Sequence, residues 1–327
     1  MVGPGDGQSN TARYLITAVV IVLVIGYGMA LLVTREHWSG GGDTAATAVT
    51  FAPGAPDGSE PTPDQLATVT DVLTRRVEAY GLPDATVTAD GDTVTVTAPG
   101  DGADMDRIAS ARGRFALRTV VHSLPAVQIP PTRTSPSNAA DEQELRQNTD
   151  RTMQVLALQF QASRCALPDG LAGADDPDRP LITCARDDTE VFLLEPATAV
   201  GDQFTDAAVA PDGNGHAVVL KSTATAAPGD ELVAVLDTEV LGPAETPQTG
   251  VVRVTGLSEQ DARDVAAILA GGELPLTLTA EESAPATLAD GSAVRIGLVA
   301  AGALVGAAVL GVVIYLVTTR RRVRPPT

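Results

Sequence analysis

Aromatic residues, histidine and cysteine are all scarce in this chain of 327 residues. Aromatic side chains make up 3% of the composition, so any core must be built mainly from Val, Leu, Ile and Ala. The three histidines, His37, His122 and His216, show no metal-ligand spacing around the two cysteines. The G-x-S-x-G pattern, a Walker sequence and a G-x-G-x-x-G following a strand are also missing. These absences argue against an enzyme, and they predict neither a cofactor nor a metal.

Positive charge is in short supply as well. The chain has 22 Lys and Arg residues against 41 Asp and Glu residues, for a formal charge of −19, and every basic residue except Lys221 is arginine. Affinity for nucleic acid comes mainly from basic side chains that neutralise phosphates. The composition therefore argues against a nucleic-acid partner.

Residues 14–33 form a long apolar run without a charged side chain. As a helix this run is about 30 Å long, which matches the hydrocarbon core of a bilayer. The alternative is a cleaved secretory signal, but the apolar part of such a signal has only about 7–15 residues. The preceding residues 1–13 contain Arg13 as their only basic group. We predict an uncleaved first transmembrane helix.

A second apolar run covers residues 294–317, with Arg295 as its only charge, and residues 318–327 add four arginines. The positive-inside rule places this basic tail in the cytoplasm. Two spans then put both termini in the cytoplasm and the acidic region between them outside the cell membrane. Gly302 and Gly306 form a GxxxG pair that could pack the second helix in a homo- or hetero-oligomer. Glycine is common in membrane helices, so this motif does not decide the matter.

The two cysteines, Cys165 and Cys184, both lie in the predicted outer region. An oxidising compartment favours a disulfide that closes a loop of about 20 residues. A two-cysteine metal site is the alternative. The acidic residues of the loop could hold calcium, but they match no defined calcium-loop pattern, so a solvated loop is predicted. These acids are Asp169, Asp175, Asp176 and Asp178.

The outer region begins with an exit strand and linker at residues 34–61, in which Thr47–Phe51 is extended. Thr62, Pro63 and Gln65 form the start of a helix, with Thr62 as N-cap, and Gly81 ends it. A strand follows from Val87, a hairpin turn at Asp90–Gly91 and an alternating strand at Thr93–Thr97. A short helix with Met105, Ile108 and Ala109 and a strand at Phe115–Val121 complete the order βαββαβ.

This order predicts an α+β fold with a ferredoxin-like base subdomain at residues 62–122. Its sheet edges and its open sheet face are the predicted contact surfaces. Residues 123–231 form a linker and a divergent head region. They contain a predicted helix at Asp141–Phe160, the cysteine loop, and strands at Glu190–Leu194 and Ala217–Lys221.

Residues 232–290 read as strand, turn, strand, helix and strand. The first strand, Leu232–Leu236, ends at Asp237, which is more simply a turn former than a catalytic acid. Ser258 is the predicted N-cap of the helix, and Gly271–Gly272 ends it.

Two groups of residues resemble the first extracytoplasmic domain of SecD, from the bacterial SecDF protein-export complex. The first group is Arg76–Gly81, Val87, Gly91–Val96, Pro99–Gly100 and Phe115–Arg118; the second is Ala234–Asp237, Gly242–Pro243, Val254–Gly256, Ala262–Ala266, Leu269, Gly271 and Leu274–Pro275. The resemblance assigns structural roles to Arg76, Gly81, Pro99, Gly100, Asp237, Pro243, Gly256, Gly271 and Pro275.

This resemblance implies a base subdomain that carries a second, small α+β head lobe. In SecD the head is thought to hold exported polypeptide, while the base hinges relative to it. The implied role is a non-enzymatic accessory of protein export that binds unfolded chains or translocon subunits outside the membrane. A cell-envelope scaffold that kept the fold without an export role is the alternative.

Departures from the SecD pattern remove the expectation of a proton-driven motor. SecD continues into four more membrane helices, which carry its proton-coupling acidic residue, whereas this chain ends at Thr327. Neither predicted span contains an acidic residue. The Asp-x-x-Gly-Gly motif that usually follows the first SecD helix is replaced by Trp38–Asp43.

Overall fold

Two β-sheets organise the part of the chain that the structure, a computed structural model, describes. The described residues are 27, 44–55, 58–82, 84–100, 102–127, 139–167, 169, 171–213, 215–224, 231–248 and 250–288. Residues 45–288 form one unit. The predicted membrane spans, with Gly302 and Gly306, lie outside the described residues apart from Tyr27. Within the described ranges, no helix has the length and apolar character needed to cross a membrane.

The fold is a mixed α+β fold. Its helices are α1 (Pro63–Tyr80), α2 (Gly102–Ser110), α3 (Ala139–Arg146), α4 (Arg151–Ala162) and α5 (Glu259–Gly271). Its strands are β1 (Thr44–Gly54), β2 (Thr86–Asp90), β3 (Thr93–Ala98), β4 (Phe115–Pro125), β5 (Leu181–Cys184), β6 (Glu190–Leu194), β7 (Ala199–Val200), β8 (Phe204–Asp212), β9 (Gly215–Ser222), β10 (Leu232–Leu236), β11 (Glu239–Gln248), β12 (Val251–Leu257) and β13 (Thr277–Leu288).

A four-stranded sheet has the order β13-β1-β3-β2. The sequence predicts that β4 completes this sheet, and that prediction is wrong. β4 pairs instead with β10, with Leu117 opposite Ala234, and β13 takes the place beside β1. Alternation in a sequence shows which face of a strand is buried but does not identify its neighbour. The local sequence pattern therefore could not predict that β13, and not β4, pairs with β1.

The remaining strands form a nine-stranded sheet of order β5-β6-β4-β10-β11-β12-β9-β8, with β7 paired to β4. One face of its central strands joins the main core. β10 shows how, because Leu232, Ala234 and Leu236 enter the main core while Val233 and Val235 belong to a second cluster on the opposite face. Both faces of the central strands are thus covered, which explains why all five residues of β10 are buried.

Local chemistry fixes several boundaries as predicted. The Thr62 hydroxyl accepts a hydrogen bond from the Gln65 N–H, and the Gln65 side chain accepts one from the Thr62 N–H, forming a capping box. Gly81 ends α1 with a left-handed φ of 96°. Ser258 caps α5 through the Asp261 N–H at 3.0 Å.

Two local predictions need correction. The hairpin loop is Gly91–Asp92, one residue later than predicted, because Asp90 pairs with Thr93. The single helix predicted at Asp141–Phe160 is two helices, since Asp150 accepts hydrogen bonds from the N–H groups of Thr152 and Met153 and so starts α4 anew.

Candidate functional site

Arg76 is a buried cation at the centre of the motif residues. Its Nη1 donates hydrogen bonds to the carbonyl oxygens of Ile108 (2.8 Å) and Ala111 (2.5 Å), and its Nη2 donates to those of Arg112 (3.2 Å) and Gly272 (2.7 Å). The side chain is fully buried, and this burial lowers the pKa of Arg76 to about 10. One side chain on α1 thereby ties together the segments that follow α2 and α5.

Arg76 occupies the space that a side chain at either of two nearby glycines would need. A Cβ placed on Gly271 would lie 2.3 Å from Cγ of Arg76 and 2.7 Å from the carbonyl oxygen of Val72. A Cβ on Gly113, whose φ is 87°, would lie 2.6 Å from Nη2 of Arg76. Glycine is therefore required at both positions by close approach to the arginine.

Asp237 forms the turn that the sequence predicts and anchors a neighbouring loop. Asp237 and Thr238 connect β10 to β11 with φ values of 49° and 82°. The carboxylate accepts hydrogen bonds from the N–H groups of Gly113 (2.9 Å) and Arg114 (2.7 Å). Burial raises the pKa of Asp237, while these hydrogen bonds and the Arg76 charge oppose the shift. These two hydrogen bonds hold the Gly113–Arg114 segment beside the turn.

Three of the predicted motif residues, Arg76, Gly271 and Asp237, thus converge around Gly113. The other six lie elsewhere. Gly81 ends α1, and the carbonyl oxygen of Gly100, next to Pro99, accepts a hydrogen bond of 2.8 Å from the Thr47 hydroxyl. The remaining three are Pro243 on β11, Gly256 on β12 and Pro275 between the buried residues Leu274 and Leu276.

The predicted disulfide between Cys165 and Cys184 is present, with a Cα–Cα distance of 5.6 Å. It links the chain just after α4 to the last residue of β5. The segment between the two cysteines, residues 166–183, is called the cysteine loop below.

The cysteine loop is held by a buried ion-pair network, so the prediction of a solvated loop is wrong for two of its acids. Arg146 contacts Asp175 at 2.6 Å and Asp169 at 2.8 Å, and it donates a hydrogen bond to the carbonyl oxygen of Leu171. Asp175 is only 8% exposed. Among the described residues, no group of His, Cys, Asp and Glu could hold a metal ion. The acids therefore fasten the loop to α3.

Helix α4 carries apolar side chains on two faces. Ala157, Leu158 and Ala162 are buried against β5 and β6. The other face exposes Met153 (37%), Leu156 (55%) and Phe160 (39%), which follow helical spacing and form what we call the α4 stripe. The guanidinium of Arg164 lies 4.9 Å from the centre of the Phe160 ring.

The α4 stripe is an exposed apolar surface that sequence reasoning missed. Apolar residues at helical spacing look the same whether a helix face is buried or exposed. A helix that packs through one face needs apolar residues on that face alone. The sequence of α4 has apolar residues on more than one face, and this excess was the available sign of an exposed apolar surface. Contiguous exposed apolar surface rimmed by polar residues marks sites of interaction with other molecules.

Two edge strands differ in how open they are. β8 is blunted by a bulge near Asp206, whose φ is 54°, and by Pro211. β2 pairs with β3 without a break, and within the described residues no strand pairs with its other side. Since Asp90 and Thr93 flank a two-residue loop, the alternation of the ladder leaves the backbone groups of Val87 and Ala89 facing outward. β2 therefore offers an open edge.

Comparison with known proteins finds relatives of this chain, although no protein-family model matches it. The chain is 28% identical to the protein translocase subunit SecD from two strains of Mycobacterium tuberculosis, over an alignment of 383 residues that covers 89% of this chain. It spans 66% of the length of those relatives.

Solved structures of SecDF were also found. A crystal structure of SecDF in a super-membrane-facing form is 20% identical, with a TM-score of 0.43, and the match covers 84% of this chain and 36% of that one. A structure of the membrane component SecDF that enhances protein export is 22% identical, with a TM-score of 0.40, covering 72% and 98%. The chain is therefore similar in sequence to SecD over most of its own length.

Proposed function

We propose that this protein is a non-enzymatic, membrane-anchored accessory of protein export whose outer domain binds unfolded polypeptide. The relatives are protein translocase subunits. The observation that carries the proposal is the α4 stripe, an exposed apolar face on a helix whose C-terminal end is linked to β5 by a disulfide. Unfolded chains expose apolar side chains that a folded protein buries, and such a stripe suits them.

The proposed organisation follows the family. The four-stranded sheet with α1 and α2 corresponds to the ferredoxin-like base, centred on residues 62–122. Residues 123–231, which include α3, α4 and the cysteine loop, correspond to the head, and residues 232–290 return the chain toward the second span. In this arrangement two flanking transmembrane helices place the acidic domain outside the membrane and both termini in the cytoplasm.

The size of the α4 stripe favours weak, reversible binding. Full burial of one large apolar side chain stabilises by about 1.5–3 kcal/mol, and the three side chains of the stripe are already partly buried. Part of that gain offsets the loss of freedom on association. The net result is a dissociation constant of roughly micromolar or weaker, as expected of a surface that must release the chain it holds.

The direct test uses the full chain in detergent and a permanently unfolded probe, reduced and carboxymethylated α-lactalbumin carrying a fluorophore. Met153, Leu156 and Phe160 are changed together to serine, and binding is followed by fluorescence anisotropy. We expect at least a tenfold loss of affinity. The matched control changes Val121 and Val209, exposed apolar residues on strands, to serine. Equal affinity for the wild type and the stripe variant would overturn the proposal.

The open edge of β2 suits a partner that adds a strand, which is the observation in favour of the alternative role as an envelope scaffold. Crosslinking in native membranes separates the two roles. Recovery of translocon subunits or nascent secreted chains supports export. Reproducible recovery of envelope proteins alone would exclude it.

A further inference from the structure

A cavity of about 360 Å³ lies between the cysteine loop and the central strands of the nine-stranded sheet. Ala116 on β4, Val235 on β10 and Val200 on β7 line it from the sheet, while Leu181 and Pro177 line it from the loop side. Ligand pockets in proteins commonly have volumes of about 300–1,000 Å³. We call this space the Arg118 cavity, after the cation in its wall.

The alternation of β4 explains why the space exists. Phe115 and Leu117 belong to the main core, whereas Ala116 and Arg118 occupy the alternate positions of the strand. Ala116 stands directly opposite Val235 on one side and Val200 on the other. A side chain as small as alanine between two valines leaves the cavity unfilled.

Arg118 is buried to 3% exposure without a counter-ion. Its Nη1 donates hydrogen bonds to the carbonyl oxygens of Arg179 (2.7 Å) and Glu195 (3.0 Å), and its Nη2 donates one of 3.4 Å to that of Asp176. Nε has no hydrogen-bond partner in the described structure. No carboxylate of the described residues lies within 4.0 Å of this guanidinium.

Arg118 retains hydrogen-bond donors that no described residue uses. Arginine has five N–H donors, and the structure shows three hydrogen bonds from this side chain, none of them from Nε. A guanidinium can bind a carboxylate through two parallel N–H donors. Burial lowers the pKa of Arg118 to about 10, while the charges of Asp175 and Asp176 oppose the shift.

The carboxylates that line the cavity do not satisfy this arginine. Asp175 is paired with Arg146 at 2.6 Å, and Glu273 is paired with Arg114 at 2.7 Å. The remaining acid, Asp202, is exposed to solvent. The inner wall therefore presents a buried guanidinium that no described carboxylate contacts directly, beside apolar surface.

We propose that the Arg118 cavity binds an amphipathic carboxylate, with the carboxylate on Arg118 and a compact apolar group against Ala116, Val235 and Leu181. Two kinds of molecule carry a carboxylate next to a compact apolar group: a free acid of this shape and the C-terminal residue of a polypeptide. This site is separate from the α4 stripe and does not depend on the proposed function.

The test measures binding of N-acetyl-leucine to the full chain in detergent by calorimetry and by ligand-observed NMR. N-acetyl-leucinamide, which lacks the carboxylate, is the matched ligand, and we expect it to bind at least tenfold more weakly. A peptide ending in leucine is compared with its C-amidated form to separate the sources. If the free-C-terminus peptide binds at least as tightly as N-acetyl-leucine, the ligand is a polypeptide end; if only N-acetyl-leucine binds, it is a free acid.

The variant Ala116→Leu fills the cavity and leaves the hydrogen bonds of Arg118 in place. We expect it to remove binding, whereas the control Ala208→Leu, at an exposed position on β8, retains it. Arg118→Lys keeps the charge but loses the paired donors, and it is expected to weaken binding at least tenfold if it folds. Three results would each overturn the proposal: equal binding of acid and amide, no binding of either carboxylate ligand, or unchanged binding by Ala116→Leu.

Discussion

Nη2 of Arg76 donates a hydrogen bond of 2.7 Å to the carbonyl oxygen of Gly272, which lies 196 residues further along the chain. This contact joins α1 to the end of α5, so the two motif segments form one structural unit. The position of β13 beside β1 has the same consequence, since strands from the two ends of residues 45–288 complete one sheet. The intervening strands and helices are inserted into a unit that closes only when both ends are present.

Replacing Arg76 with methionine should strongly destabilise the protein. The change leaves four carbonyl oxygens, one in a buried and three in partly buried hydrogen bonds, without the donors that Arg76 supplies. A loss of about 3–5 kcal/mol is expected, or roughly 6–20 °C in the thermal midpoint for a unit of this size. The measurement is circular dichroism of the full chain in detergent.

The adjacent Arg75 provides the control for this experiment. It is exposed, and within the described residues its hydrogen bonds go to the carbonyl oxygen of Gly271, at 2.9 Å from Nη2. Arg75→Met should cost about 1 kcal/mol. Similar losses for the two variants would contradict a central role for Arg76.

Gly271→Ala should be more damaging than Gly81→Ala, although both glycines end helices. Gly81 has a left-handed φ of 96°, and no other atom lies within 4 Å of the position that a Cβ would take, so alanine there costs about 1 kcal/mol of backbone strain. A Cβ on Gly271 would strike both Arg76 and the backbone of Val72. We expect about 2–4 kcal/mol, read from the same thermal midpoints. A smaller effect at Gly271 than at Gly81 would refute the packing argument.

The helix ends were predictable because their chemistry is local. The Thr62–Gln65 capping box, the Ser258 cap and the glycine stop at Gly81 each depend on residues within one turn of the helix. The disulfide was predictable as well, because only two cysteines exist to form it. These features required no knowledge of which strands become neighbours.

The sheet arrangement and the α4 stripe depended on information that local patterns lack. β4 alternates equally well in either sheet, and only the three-dimensional pairing decides that it joins β10. Met153, Leu156 and Phe160 have the spacing of a core face, and their exposure follows from Ala157 and Leu158 taking the buried side. Composition also gave no reason to bury Arg76, which only the family resemblance singled out.

The stability conferred by Asp237 should fall as pH rises. Burial raises the folded-state pKa of this carboxyl above its usual 3.8. At a pH between 3.8 and the folded-state pKa, the folded state therefore binds more protons than the unfolded state. Raising the pH through the folded-state pKa therefore removes stability. Asp237→Asn cannot titrate, and the difference in thermal midpoint between wild type and variant should shrink from pH 4 to pH 7.

A wild-type advantage over Asp237→Asn that grows with pH would have the wrong sign and would contradict a raised pKa for this carboxyl.

Removing the disulfide should weaken both stability and polypeptide binding, by different amounts. The double variant Cys165→Ser/Cys184→Ser frees a loop with a sequence separation of 19, which costs about 3 kcal/mol in the chain-entropy model. Helix α4 keeps its contacts with β5 and β6, and Arg146 still holds the cysteine loop. The fold should therefore persist at 25 °C with a thermal midpoint lower by roughly 6–12 °C.

Binding of unfolded α-lactalbumin to this variant should fall because the α4 stripe sits on the helix that the disulfide fastens. Serine at both positions also provides an internal control, since a reductant should lower the midpoint of the wild type and leave the variant unchanged. If the variant loses thermal stability but binds the unfolded probe as tightly as the wild type, then packing of the buried face of α4 against β5 and β6 is enough to hold the helix. The disulfide would then serve stability alone, and the stripe would not depend on it.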